Sequence, residues 1–180
     1  LQDHPDDARM EFELAVVYYQ TGRIDLALEA FKRGIPRWQP DEVTCARYLQ
    51  VRIYLLGKQD VTSATQAAES IWQSGLWRPE PFYYLCRHHR QRDNRPEAAR
   101  FLMMAQEAVR RPGTSIPLLH ESDVVDYLLP YEELILWYYL HPKHVTTASS
   151  LALELLGHQK LPYHLKENVQ WNYDTFFKVK

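Results

Sequence analysis

Leu14-Ala15, Tyr18-Tyr19, Gly22, Ala27-Leu28, Phe31 and Ile35 describe a helix, a tight turn and a returning helix, and the pattern recurs along the chain. Bulky, small and aromatic side chains fall at helical spacing on what should be one packed face of the first helix. Gly22 allows the turn, and Ala27 sits where the second helix crosses the first. A helix pair of this size cannot bury its apolar face alone, so stacked copies are expected to share a core. Similar patterns begin at Leu49 and Leu85, at spacings of 49 − 14 = 35 and 85 − 49 = 36. Repeats of this kind generally bind or brace other molecules, although fold alone does not fix function.

Read in order, the sequence predicts an all-α chain of about four antiparallel helix pairs and a C-terminal capping helix. It is taken as a single domain, in units of about 8–40, 41–78, 79–111 and 122–157, with the cap at about 162–177. Asp6 or Asp7 can cap the first helix, Asp41 the third and Asp123 the seventh. Turns are expected at Gly22, at Gly57 and, with left-handed backbone, at Asp93-Asn94. The prolines Pro36 and Pro40 stop the second helix. The segment 111–121 breaks the rhythm but keeps Ile116, Leu118 and Leu119, which need burial, so an ordered connector is expected. His141-Pro142-Lys143 reads as the turn of a degenerate fourth unit, whose first helix is kinked at Pro130.

The net charge of −2 gives no global attraction for nucleic acid or an anionic membrane. Leu134 to Leu140 is the longest uncharged apolar run near the end and is too short to span a bilayer. The polar opening has neither initiator Met nor signal-peptide character, as expected for a piece of a longer polypeptide or for a processed terminus. The two cysteines, Cys45 and Cys86, read as reduced, packed thiols, and there is no Asn-x-Ser/Thr sequon. A cytoplasmic location fits this composition.

Residues 18–31, Tyr-Tyr-Gln-Thr-Gly-Arg-Ile-Asp-Leu-Ala-Leu-Glu-Ala-Phe, resemble a tetratricopeptide repeat. The likeness implies a right-handed superhelix of stacked hairpins. His4-Pro5-Asp6-Asp7-Ala8-Arg9, residues 77–85 (Trp-Arg-Pro-Glu-Pro-Phe-Tyr-Tyr-Leu), Asp123-Val124-Val125-Asp126-Tyr127 and the closing helix with Leu161-Pro162 and Asn168 extend the resemblance. They are similar to the helical-repeat regions that follow the catalytic domain in certain inverting, family-2-type glycosyltransferases of bacteria and large DNA viruses. The resemblance implies a non-catalytic companion to a sugar-transferring domain. Such domains hold a divalent metal and a nucleotide diphosphate through Asp-x-Asp, and no two aspartates here lie two apart.

No catalytic residue, metal ligand set or cofactor is assigned. His88 and His89 are neighbours that point in different directions on a helix, and neither Cys-x-x-Cys nor His-Glu-x-x-His occurs. Glu132-Glu133 reads as a solvated or cap-forming pair. The remaining candidate is the groove lined by the first helix of each unit. It nominates Phe12, Val16, Tyr19 and Gln20, then Arg47, Tyr48, Val51 and Tyr54, then Tyr83, Tyr84, Arg87, Arg90 and Gln91, and last Glu132, Leu136 and Tyr139. Tyr and Arg anchor interfaces most often, and Arg87, Arg90, Arg92 and Arg95 make the densest positive tract. The expected partner is a protein or peptide, or a neighbouring catalytic domain in the same polypeptide. A stand-alone adaptor that captures a partner's peptide is the alternative.

Overall fold

In the computed structural model, which describes residues 5–111, 118–140 and 145–178, the chain is all-helical, with no strand among the described residues. The helices are α1 (Pro5–Gln20), α2 (Ile24–Gly34), α3 (Pro40–Arg52), α4 (Val61–Ser74), α5 (Glu80–Gln91), α6 (Arg95–Arg110), α7 (Leu129–Leu140), α8 (Val145–Gly157) and α9 (Tyr163–Asn172). Wider π-helical turns extend α3 over Ile53–Lys58, lead into α7 over Val124–Leu128 and extend α9 over Tyr173–Phe177. No described helix is long and apolar enough to cross a membrane. The contacts gather the chain into two compact units, one of Leu1–Pro81 with Pro112–His120 and one of Phe82–Arg111 with Glu121–Lys180.

In the first unit, α1 packs on α2 and α3 on α4. Gly22 takes φ +74° at the first turn, where Gly22 N–H donates to Tyr19 O (3.1 Å) and Arg23 N–H to Tyr18 O (2.8 Å). This paired closure of the helix end needs a left-handed residue, which glycine supplies without strain. Ala15, Ala27 and Phe31 are fully buried where the helices cross. Gly34 is held against the Trp38 indole so closely that a Cβ built there would fall inside the ring. The indole in turn meets Phe12 and Phe31 edge-on, at 5.3 and 6.2 Å.

Several expectations are corrected here. Leu14 is 49% exposed, so the packed face of α1 runs through Phe12 and Ala15 instead. Helix α3 starts at Pro40, and the Glu42 carboxylate, not Asp41, accepts from the Gln39 N–H at 3.0 Å. Gly57 lies inside the π turn and not at a chain reversal. The left-handed turn residue is Gln59, φ +54°. Asp60 then caps α4 by accepting from Ser63 N–H at 3.0 Å and from the Ser63 hydroxyl at 2.6 Å, and the hydroxyl bond first, then the backbone bond, hold its carboxyl below the usual range.

In the second unit, α5 and α6 meet through His89 stacked on Phe101 at 5.5 Å. Asp93 takes φ +56°, and Asp93 N–H donates to Arg90 O and Asn94 N–H to His89 O, both at 3.0 Å. This is the geometry of the Gly22 turn, with 93 − 22 = 71 residues between them. Ala98 is fully buried at the corresponding crossing. Pro130 lies inside an unbroken helical run from 122 to 140 and offers no N–H to the turn before it, and that turn is the wider π turn closed through Leu129 N–H to Val124 O. Asp123 makes no side-chain cap and instead hydrogen-bonds Tyr127. Helices α7, α8 and α9 share a core of Tyr131, Leu134, Ala148, Ala152, Leu155, Val169 and Phe177. The expected turn at 141–143 and Ile116 lie outside the described residues, whereas Leu118 is half-buried and Leu119 44% exposed, against the burial expected for both.

Candidate functional site

In the first unit the polar residues form a ladder of alternating rings and guanidinium groups. The Arg52 guanidinium lies 6.0 Å from the Tyr19 ring and 5.9 Å from the Tyr48 ring, and donates to the Tyr48 hydroxyl at 3.3 Å. Arg78 covers Tyr48 at 4.1 Å, close enough for a cation–π contact in a water-free setting. Its Nε and Nη2 donate to Glu80 at 3.1 and 3.2 Å, and both side chains are fully buried. The rest of the fork reaches the connector, donating to Leu118 O at 3.2 Å and Leu119 O at 3.4 Å. His120 Nδ1 lies 2.9 Å from Glu80 Oε1. Leu119 has φ +54°, a conformation that leucine rarely adopts, and the Arg78 contacts on its carbonyl hold it there.

The Cys45 thiol borders this ladder. Burial pushes it up to about 11, with the Arg78 charge and hydrogen bond working the other way. A thiol so placed stays protonated and unreactive at neutral pH.

In the second unit, Arg90 grips Glu132 with two donors, one through Nε and one from Nη2 to Oε1 at 2.9 Å. Glu132 is 1% exposed, so it belongs to the core and not to a solvated face. Arg87 Nη1 sits 3.5 Å from the Tyr83 hydroxyl, and Asn168 Nδ2 3.5 Å from that of Tyr131. Burial pushes the Tyr83 phenol up to about 12 and drives the Cys86 thiol up further, with the Glu132 charge adding to the latter. Tyr84 donates to Glu121 at 2.7 Å. Arg95 pairs with Asp93 at 2.8 Å and covers the Tyr139 ring at 3.7 Å. Arg92 lies 3.2 Å from His88 Nδ1. Burial lowers both His88 and His89, which keeps the imidazoles neutral at neutral pH.

The nominated groove residues therefore divide. Phe12, Tyr48, Val51, Tyr83, Glu132 and Leu136 are buried packing residues and present nothing to a partner. Tyr19, Arg47, Tyr54 and Tyr84 are half-buried, and Arg87 and Gln91 are exposed. Arg90 is half-buried and engaged by Glu132 and Arg95 is paired with Asp93, so two of the four arginines of the tract are neutralised from within. Arg52, Arg78, Glu80 and His120 were not among the nominated residues. The charged pair inside the Trp77–Pro81 segment gave no usable signal, because Pro-flanked charges ordinarily read as a solvated loop. Among the described residues no group of three His, Cys, Asp or Glu side chains could hold a metal ion.

The chain matches no protein-family model, no curated protein and no solved structure.

Proposed function

We propose that this chain is a non-catalytic, tetratricopeptide-like helical-repeat module that serves as the interaction region of a larger glycosyltransferase polypeptide. The repeated hairpin carries the reading. The same helix-end closure occurs at Tyr18-Gly22-Arg23 and His89-Asp93-Asn94, each followed by a buried alanine, Ala27 or Ala98. Duplicated hairpins of this kind create surface for binding. Each unit keeps an accessible face on its first helices: Tyr19, Arg47 and Tyr54 in one, Tyr84, Arg87 and Gln91 in the other. Such a mixture of aromatic and partly charged side chains suits a protein or peptide partner.

The reading is tested by co-expressing the chain with whatever domain its gene encodes upstream. A strand-rich nucleotide-binding domain with Asp-x-Asp that co-purifies, and is lost from the double variant Tyr54→Ser/Arg87→Glu with helicity intact, is the expected result. Retention by that variant removes the first-helix face. An unrelated upstream domain favours the alternative, an adaptor that captures a partner's peptide.

A further inference from the structure

On the last helix, Tyr163, Lys166, Glu167, Gln170, Trp171 and Asp174 recur at three- and four-residue spacing, and with Leu156 of α8 they line an open depression of about 570 Å³. Two large aromatics stand out of it, Tyr163 at 76% and Trp171 at 60% exposure, beside a core in which Tyr127, Tyr131 and Phe177 are buried. Trp171 is not loose. Its ring meets Phe176 edge-on at 5.4 Å and 82°, and Phe176 packs against the core. Gln170 Nε2 donates to Asp174 Oδ2 at 2.7 Å, which orients the amide and the carboxylate on the same face. Eight residues separate the two aromatics, about 12 Å along the axis.

The lining chemistry discriminates among occupants. Lys166 and Lys178, the latter 3.5 Å from Asp174 Oδ1, stand against Glu167 and Asp174, so the local charge is 2 − 2 = 0 and gives phosphates and anionic membrane surfaces no net attraction. Leu156, Tyr163 and Trp171 are interrupted by four polar side chains, so an amphipathic helix finds no continuous apolar stripe. Backbone groups within α9 are engaged in the helix, which offers no edge to an extended peptide. A neutral polyhydroxylated ligand fits this lining. Its C–H faces suit the aromatic rings, while its hydroxyls donate to Glu167 and accept from Lys166, with the Gln170–Asp174 pair, itself braced by Lys178, bordering them. We propose that this face of α9 binds a neutral linear oligosaccharide, bridging Tyr163 and Trp171. The site uses no residue of the first-helix face, so it stands or falls separately from that face.

The test is titration of the ¹⁵N-labelled chain with maltotetraose, cellotetraose and chitotetraose. At millimolar sugar, at least one should shift the Trp171 indole N–H together with the amides of residues 163–174. Trp171→Ala should weaken that binding at least tenfold without changing helicity or Tm, and Trp171→Phe, which keeps a flat face, should weaken it less. The proposal is overturned if none of the three shifts these signals or if Trp171→Ala binds as well as the parent. A Trp171-dependent dimer forming without sugar would also overturn it.

Discussion

Two Arg–Glu pairs, one in each unit, have similar two-pronged hydrogen bonding and very different surroundings. Arg78 and Glu80 lie two residues apart, and both are fully buried. Arg90 and Glu132 lie 42 residues apart, and the arginine side chain keeps 22% of its exposure. The first pair has no water to fall back on, so its remaining donors are satisfied by two connector carbonyls and an aromatic face. The second ties α5 to α7 while its guanidinium stays partly hydrated. The comparison teaches that a buried ion pair becomes a structural node through the further contacts that complete it.

That difference can be measured. Arg78→Met should be the most damaging change, at about 3–5 kcal/mol by chemical denaturation, since it removes the guanidinium that balances the buried Glu80 carboxylate. Arg90→Met should be milder, at about 1.5–3 kcal/mol, the range for hydrogen bonds to a charged group, because water can reach the vacated edge. Equal losses from the two would erase the distinction. A double-mutant cycle on each pair would then locate the coupling.

The thiols sharpen the same contrast, because each unit carries one of them, Cys45 or Cys86, and both are buried. Labelling at pH 8 should report opening of the surrounding unit. Arg78→Met should accelerate Cys45 modification by about 100-fold or more, following the conversion of tenfold per 1.4 kcal/mol. Cys86 should change far less. Parallel acceleration of both thiols would show that the units open as one.

The smallest effect expected is alkaline. The folded Tyr83 phenol lies at about 12 against an ordinary 10.0, so its neutral form is favoured by folding. That contribution is complete below pH 10 and is lost as pH rises toward 12. Tyr83→Phe should therefore gain on the parent protein between pH 10 and 12. A constant difference across that window would mean that the phenol is hydrated after all.

Much of the helical skeleton was legible from local chemistry. Gly22 and Asp93 could be placed because only certain residues accept left-handed backbone, and Ala27 because crossings exclude bulk. The Gly57 turn was misplaced because a π turn leaves no periodic signature in so short a stretch. The site was less legible. Periodicity puts Tyr48 and Tyr83 on first helices but does not say that Arg52, Arg78 or Arg87 would lie against them. Nothing local in Arg90 announces a carboxylate 42 positions away. Arg78 and Glu80 look solvated because their burial depends on the connector that returns to them at Leu118–His120.

Gly34 carries a consequence of its own. With the Trp38 indole lying where any β-carbon would stand, position 34 admits one residue type for as long as position 38 remains tryptophan. Position 38 must therefore change before position 34 can. Any lineage that adds even a methyl group at the end of α2 has to find a new lid for Phe12 and Phe31.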